Sequence, residues 1–166
     1  GQFSETSTQS LAAVSSNVAL INLVINIVIG LSIGTNVVMS QAIGSRNENK
    51  AQNTVHTSVL LALISGTAVG LIGVFCAKYF LVWMKTDPEI LDKATDYLFI
   101  YFIGTPANVL YNFGASILRA KGDTKRPLIY LTIAGIVNVA LNLLFVIVLK
   151  LDVKGVAIAT IVSQYI

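Results

Sequence analysis

Apolar residues run along this chain in long uninterrupted blocks, not in the alternation of a half-buried strand or the narrow stripe of a surface helix. No Asp, Glu, Lys or Arg lies between Glu5 and Arg46, and further charge-free stretches cover residues 51–77, 97–118 and 128–149. Each reaches the roughly 20 residues that a helix needs to cross a hydrocarbon core. Membrane β-strands do not fit, because they are about 10 residues of strict alternation, whereas Leu, Ile, Val, Ala and Gly are continuous here. Helices satisfy their own backbone groups inside lipid. The pattern therefore predicts an all-α integral membrane protein, a polytopic transmembrane helix bundle.

Turn chemistry sets the expected boundaries. A first helix over about 11–43 is longer than one bilayer crossing, so it tilts or protrudes; Gly44 and the polar run Ser45, Arg46, Asn47, Glu48 and Asn49 end it. A second covers 50–84, with Gly66, Gly70 and Gly73 making a small-residue face for a neighbouring helix. Thr86, Asp87, Pro88 and Glu89 announce a third over 88–119. Within it Pro106 has no backbone donor and clashes with the preceding turn, which predicts a kink. Gly122 stops that helix and Pro127 stands near the start of a fourth, expected over 127–149. A loop at 150–154 precedes an apolar segment over 155–166, too short to span. The polar opening over residues 1–10 lacks the basic and apolar regions of a signal peptide, so the chain reads as the interior of a longer protein.

Composition agrees: 55% of residues are hydrophobic, 11% are charged and the mean hydropathy is +0.77, against about 25% charged in a soluble domain. The net charge is +3, but the cations sit in short connectors with no interleaved aromatics, which argues against nucleic acid. Cys76 is the only cysteine, so there is no intrachain disulfide. One set of connectors carries Arg46, Lys50, Arg119, Lys121, Lys125 and Arg126, and the other carries Lys78, Lys85, Lys93, Lys150 and Lys154. Counting cations places the 44–50 and 119–127 loops in the cytoplasm. Tyr79 and Trp83 fall where an interfacial aromatic belt is expected on the opposite side.

No carboxylate lies inside a span, which removes the usual proton relay. Asparagine is present instead. Asn138 and Asn142 are four apart and share a helix face; their amide oxygens suit a small hard cation, and they suit interhelical hydrogen bonds equally. Asn22 with Asn26, and Asn108 with Asn112 and Tyr111, repeat the pattern and either line a water-filled cavity or bond neighbouring helices. There is no glycine-rich phosphate loop, no metal-spaced Cys or His and no nucleophile elbow, so the chain is not read as an enzyme and no cofactor is expected.

Several segments resemble one family. Residues 11–14 leading into a polar-striped helix, Gly30-Leu31-Ser32-Ile33-Gly34-Thr35 and Ser40-Gln41-Ala42-Ile43-Gly44 resemble the second helix of the multidrug and toxic compound extrusion (MATE) exporters. Asp96-Tyr97-Leu98, Gly104-Thr105-Pro106 and residues 118–127 resemble its fourth helix and the following loop, and residues 137–142 and 155–160 its fifth helix and the opening of its sixth. The family has twelve helices in two six-helix lobes, so the resemblance implies that residues 1–166 are a partial amino-terminal lobe, helices two to five plus the start of six. It implies a multi-pass cell-membrane antiporter that exports organic, often cationic, compounds in exchange for Na⁺ or H⁺ by alternating access. The remaining helices of the same transporter, lipid and a small organic substrate are then the partners. It also puts Asn138 and Asn142, with Thr160, in the coupling-cation site, beside a first-helix Asp outside this sequence. A lipid-linked-precursor flippase built on the same plan and a non-transporting structural subunit are the competing readings.

Overall fold

The computed structural model describes residues 2–148 and 152–166. Its order is α1 (Gln2–Gly44), α2 (Glu48–Trp83), α3 (Pro88–Ala120), α4 (Lys125–Asn142), a π-helical segment (Leu143–Val148) and α5 (Asp152–Tyr165), with no strand among the described residues. The expected elements are all present, with altered bounds. α1 starts at Gln2 and not near residue 11, α4 gives way to the wider π-helix after Asn142, and α5 starts at Asp152 rather than Gly155. The expected loop over 150–154 lies partly outside the described residues. Nothing in the run Leu-Leu-Phe-Val-Ile-Val announces the π segment, because hydrophobic continuity does not fix the backbone hydrogen-bond register.

Short connectors fold the helices into antiparallel neighbours. After α1, α2 and α3 the chain closes in the same way: Asn47 N donates to the Ala42 carbonyl (3.0 Å), Thr86 N to Leu81 (3.1 Å) and Asp123 N to Leu118 (2.9 Å). This Schellman closure requires one left-handed residue. Gly122 takes that position after α3 (φ 81°), as glycine should, but Arg46 (φ 52°) and Lys85 (φ 57°) take it after α1 and α2. Gly44, expected to stop α1, is its last helical residue. The next helices are capped at once. Asn47 Oδ1 accepts from Lys50 N at 2.9 Å, Asp87 Oδ1 from Glu89 N at 3.0 Å, and Asp123 Oδ1 from Arg126 N at 3.1 Å.

The third helix is the axis of the bundle. Ala94, Leu98, Phe102, Val109 and Phe113 of α3 are buried, against Val28 of α1 and Ala62, Ala77 and Leu81 of α2. The glycine face of α2 does meet a neighbour: a Cβ at Gly66 would lie 2.9 Å from Pro106 Cα, and one at Gly70 would lie 2.9 Å from the Phe102 carbonyl oxygen. Pro106 cannot donate to the Phe102 carbonyl one turn back, and glycine at position 70 leaves the space beside that oxygen open. Pro106 does not break α3, whose helical assignment runs unbroken from Pro88 to Ala120.

The outer faces are apolar. Leu60, Ile64, Ile72 and Phe75 on α2, and Ile136, Val139 and Ile147 beyond α3, are exposed. Among the described residues, three stretches are long and apolar enough to cross a membrane: Asn17–Gly44, Glu48–Trp83 and Lys125–Val148. The more polar α3 packs against the first two of these and against α5, while the third packs chiefly on α5. Tyr79 and Trp83 are exposed at the end of α2, as members of an aromatic belt would be. These are the features of a multi-pass membrane protein.

Candidate functional site: an amide chain between the fourth and fifth helices

On α4 and the π-helical segment that continues it, Ala134, Val137, Asn138, Leu141, Asn142 and Phe145 are half-buried while their neighbours are exposed, a spacing of three and four that marks one face. That face meets α5 at Thr160 and Ser163. Asn138 Nδ2 donates to Ser163 Oγ (3.2 Å) and, at greater length, to Thr160 Oγ1 (3.4 Å). Asn138 Oδ1 accepts from Asn142 Nδ2 at 2.9 Å. The two asparagines and Thr160 are thus brought together.

The chain of amides ends on an unsatisfied atom. Asn142 Oδ1 is buried and has no hydrogen-bond partner. Such atoms are uncommon in folded proteins and call for a donor or an ion. Asn142 is also the last α-helical residue before the π segment. Ser163, only 4% exposed, is the member that sequence reasoning missed. It stands three residues after Thr160, so the i, i+3 rule would have put it on the same face. No cluster of three His, Cys, Asp or Glu side chains that could hold a metal occurs among the described residues.

The five candidate cavity residues form two separate groups. Asn22 and Asn26 lie exposed on the side of α1 away from buried Val28, Ser32 and Thr35. Asn108 and Asn112 bond to each other along α3, with Asn112 Nδ2 2.8 Å from the Asn108 carbonyl and 3.1 Å from its Oδ1, and Tyr111 donates to the Pro127 carbonyl at 3.0 Å. None of the five lines the large crevice of about 790 Å³ between α1 and α2, whose walls include Thr35, Lys50, Thr54 and Phe113. Tyr111 thus bonds α3 to α4, and further interhelical glue is carried by other residues. Asn17 Nδ2 donates to the Ala94 carbonyl (3.0 Å), and Asn36 Nδ2 to the Ser116 carbonyl (2.9 Å).

An apolar outer surface around a more polar buried helix, with a polar seam where two helices meet, defines a membrane-embedded helical bundle. Comparison with known proteins makes the class specific. The family profile described as MatE matches residues 2–144, and the chain belongs to that family. It is 34% identical over 153 residues to "Probable multidrug resistance protein YpnP" of Bacillus subtilis, covering 92% of this chain and 34% of that protein. It is 30% identical to "Multidrug and toxin extrusion protein 2" of Pongo abelii, covering 93% of this chain and 27% of that protein. Among solved structures it is similar to "Crystal structure of MATE in the bent conformation", with a TM-score of 0.91 at 28% identity over 95% of this chain and 35% of that one. The chain therefore spans about a third of the length of such relatives.

Proposed function

We propose that the full-length protein is a secondary antiporter that exports organic, often cationic, compounds in exchange for Na⁺ or H⁺, and that the seam between α4 and α5 belongs to its coupling site. Family membership and relatives described as multidrug resistance proteins support export. The observation that carries the coupling site is the buried, unpartnered Asn142 Oδ1. An unsatisfied buried acceptor costs about 1–3 kcal/mol, which a state that supplies a partner recovers. A neutral amide oxygen is a hard ligand suited to Na⁺ and also accepts a hydrogen bond from a protonated acid. Asn138 and Thr160 support it within the same network. Amides cannot neutralise a buried cation, so the balancing carboxylate has to come from elsewhere in the protein; the family resemblance assigns it to the first helix. Coupling then follows from differential affinity, because an ion that binds one access state better shifts the protein toward that state.

A flippase cavity would carry several basic groups, and the charge-free stretches carry none. The test is efflux of an organic cation by the full-length protein in vesicles, measured against Na⁺ and pH in turn. Asn142→Leu is expected to raise the half-saturating ion level about tenfold, equivalent to about 1.4 kcal/mol, while folded protein still reaches the membrane. A well-folded Asn142→Leu protein with the parental ion response would sink the coupling site and leave these asparagines as glue.

A further inference from the structure

We propose that Ser163 is a positioning residue that fixes which way the amide chain on α4 points, and so keeps Asn142 Oδ1 available as an acceptor; the proposal rests on the coupling-site reading above. An asparagine amide has donors at one end and an acceptor at the other, and turning it over exchanges them at little steric cost. Some neighbour must therefore decide which end of Asn138 faces α5. Ser163 Oγ donates to the Thr160 carbonyl at 2.8 Å, and Thr160 Oγ1 donates to the Val156 carbonyl at 2.9 Å. Each hydroxyl carries a single hydrogen, so both are committed to carbonyls of their own helix and offer Asn138 only lone pairs.

The consequence propagates along the seam. Asn138 must present Nδ2 to α5, and the shorter contact is to Ser163, 3.2 Å against 3.4 Å for Thr160. Its Oδ1 is then turned to Asn142 Nδ2 at 2.9 Å, and Asn142 Oδ1 becomes the open end, buried and unpartnered. With Asn138 reversed, its oxygen would face two lone-pair donors of electron density, and Asn142 would turn its own oxygen inward to meet the Asn138 amide hydrogens. The open end would then carry an NH₂ group, which repels a cation. In this arrangement Ser163 acts through Asn138.

The experiment uses the full-length protein in vesicles, with organic-cation efflux followed against Na⁺ alone and against pH alone. Ser163→Ala is expected to raise the half-saturating level of the coupling ion about fivefold, the equilibrium weight of one net hydrogen bond, with the maximal rate and the drug half-saturation unchanged. Ser163→Thr keeps the hydroxyl and should restore the parental ion response. In an Asn138→Leu background, Ser163→Ala should add nothing, since no amide is left to orient. If Ser163→Ala responds like the parent while Asn142→Leu is shifted, the role of Ser163 is overturned and the coupling site stands. A parental response in both overturns the coupling site itself. A shift that persists in Ser163→Thr, or adds in full to Asn138→Leu, marks a packing effect and also overturns the proposal. Should Ser163→Ala fail to fold, Ser163→Cys, similar in size and a weaker acceptor, carries the same expectation.

Discussion

Replacing Gly66 by alanine tests the contact on which the bundle turns. The added Cβ would lie 2.9 Å from Pro106 Cα and 3.2 Å from Val109 Cβ, where carbon atoms prefer about 3.5–4.0 Å. The nearer obstacle is backbone, so no rotamer change relieves it, and α2 and α3 must separate by about half an ångström or more. Separation opens gaps beside Gly70 and Gly73, whose neighbours Phe102 and Pro106 are otherwise in contact range, and even a gap of 0.5–1 Å forfeits about a quarter to a half of each dispersion well. Overpacking of this kind costs about 1–3 kcal/mol, against a gain of about 1 kcal/mol in helix propensity on leaving glycine. Gly34→Ala is the control, because a Cβ there meets nothing within 4 Å. Equilibrium unfolding of the purified full-length protein should place Gly66→Ala below Gly34→Ala by about 1–3 kcal/mol. Equal stability of the two variants would refute the close approach of α2 to α3 at this point.

Two further outcomes follow from the connectors. Gly122→Ala, at φ 81°, should destabilise by about 1 kcal/mol, while Lys85→Gly, at φ 57°, should be neutral or slightly stabilising, both read from unfolding midpoints. The loops after α1 and α3 share one end of the bundle, since Asn36 of α1 bonds to Ser116 of α3 and Arg119 to the Ser116 hydroxyl. With Cys76 replaced, single cysteines at Asn49 and Lys121 should both resist an impermeant thiol reagent in intact cells, and labelling of both from outside would reverse the topology.

Much of this protein is legible without coordinates because lipid is a demanding solvent. A span must be long, apolar and self-bonded, so the uncharged stretches mark the helices, and Asp87, Pro88 and Gly122 mark their ends as expected. Helical periodicity also puts Asn138 and Asn142 on one face. It does not say what that face meets. In a soluble helix the apolar stripe points to the core, but α1, α2 and α4 are apolar nearly all round, and lipid leaves no such gradient to orient them. Only the tertiary structure therefore turns Gly66 and Gly70 toward Pro106, leaves Asn22 and Asn26 on an outer face, and pairs Asn108 with Asn112. It alone also brings Ser163 within hydrogen-bond reach of Asn138 and leaves Asn142 Oδ1 without a partner. Those outcomes depend on which helix packs where, and that is decided by close contact between small residues and by buried polar groups finding partners, not by how apolar each span is.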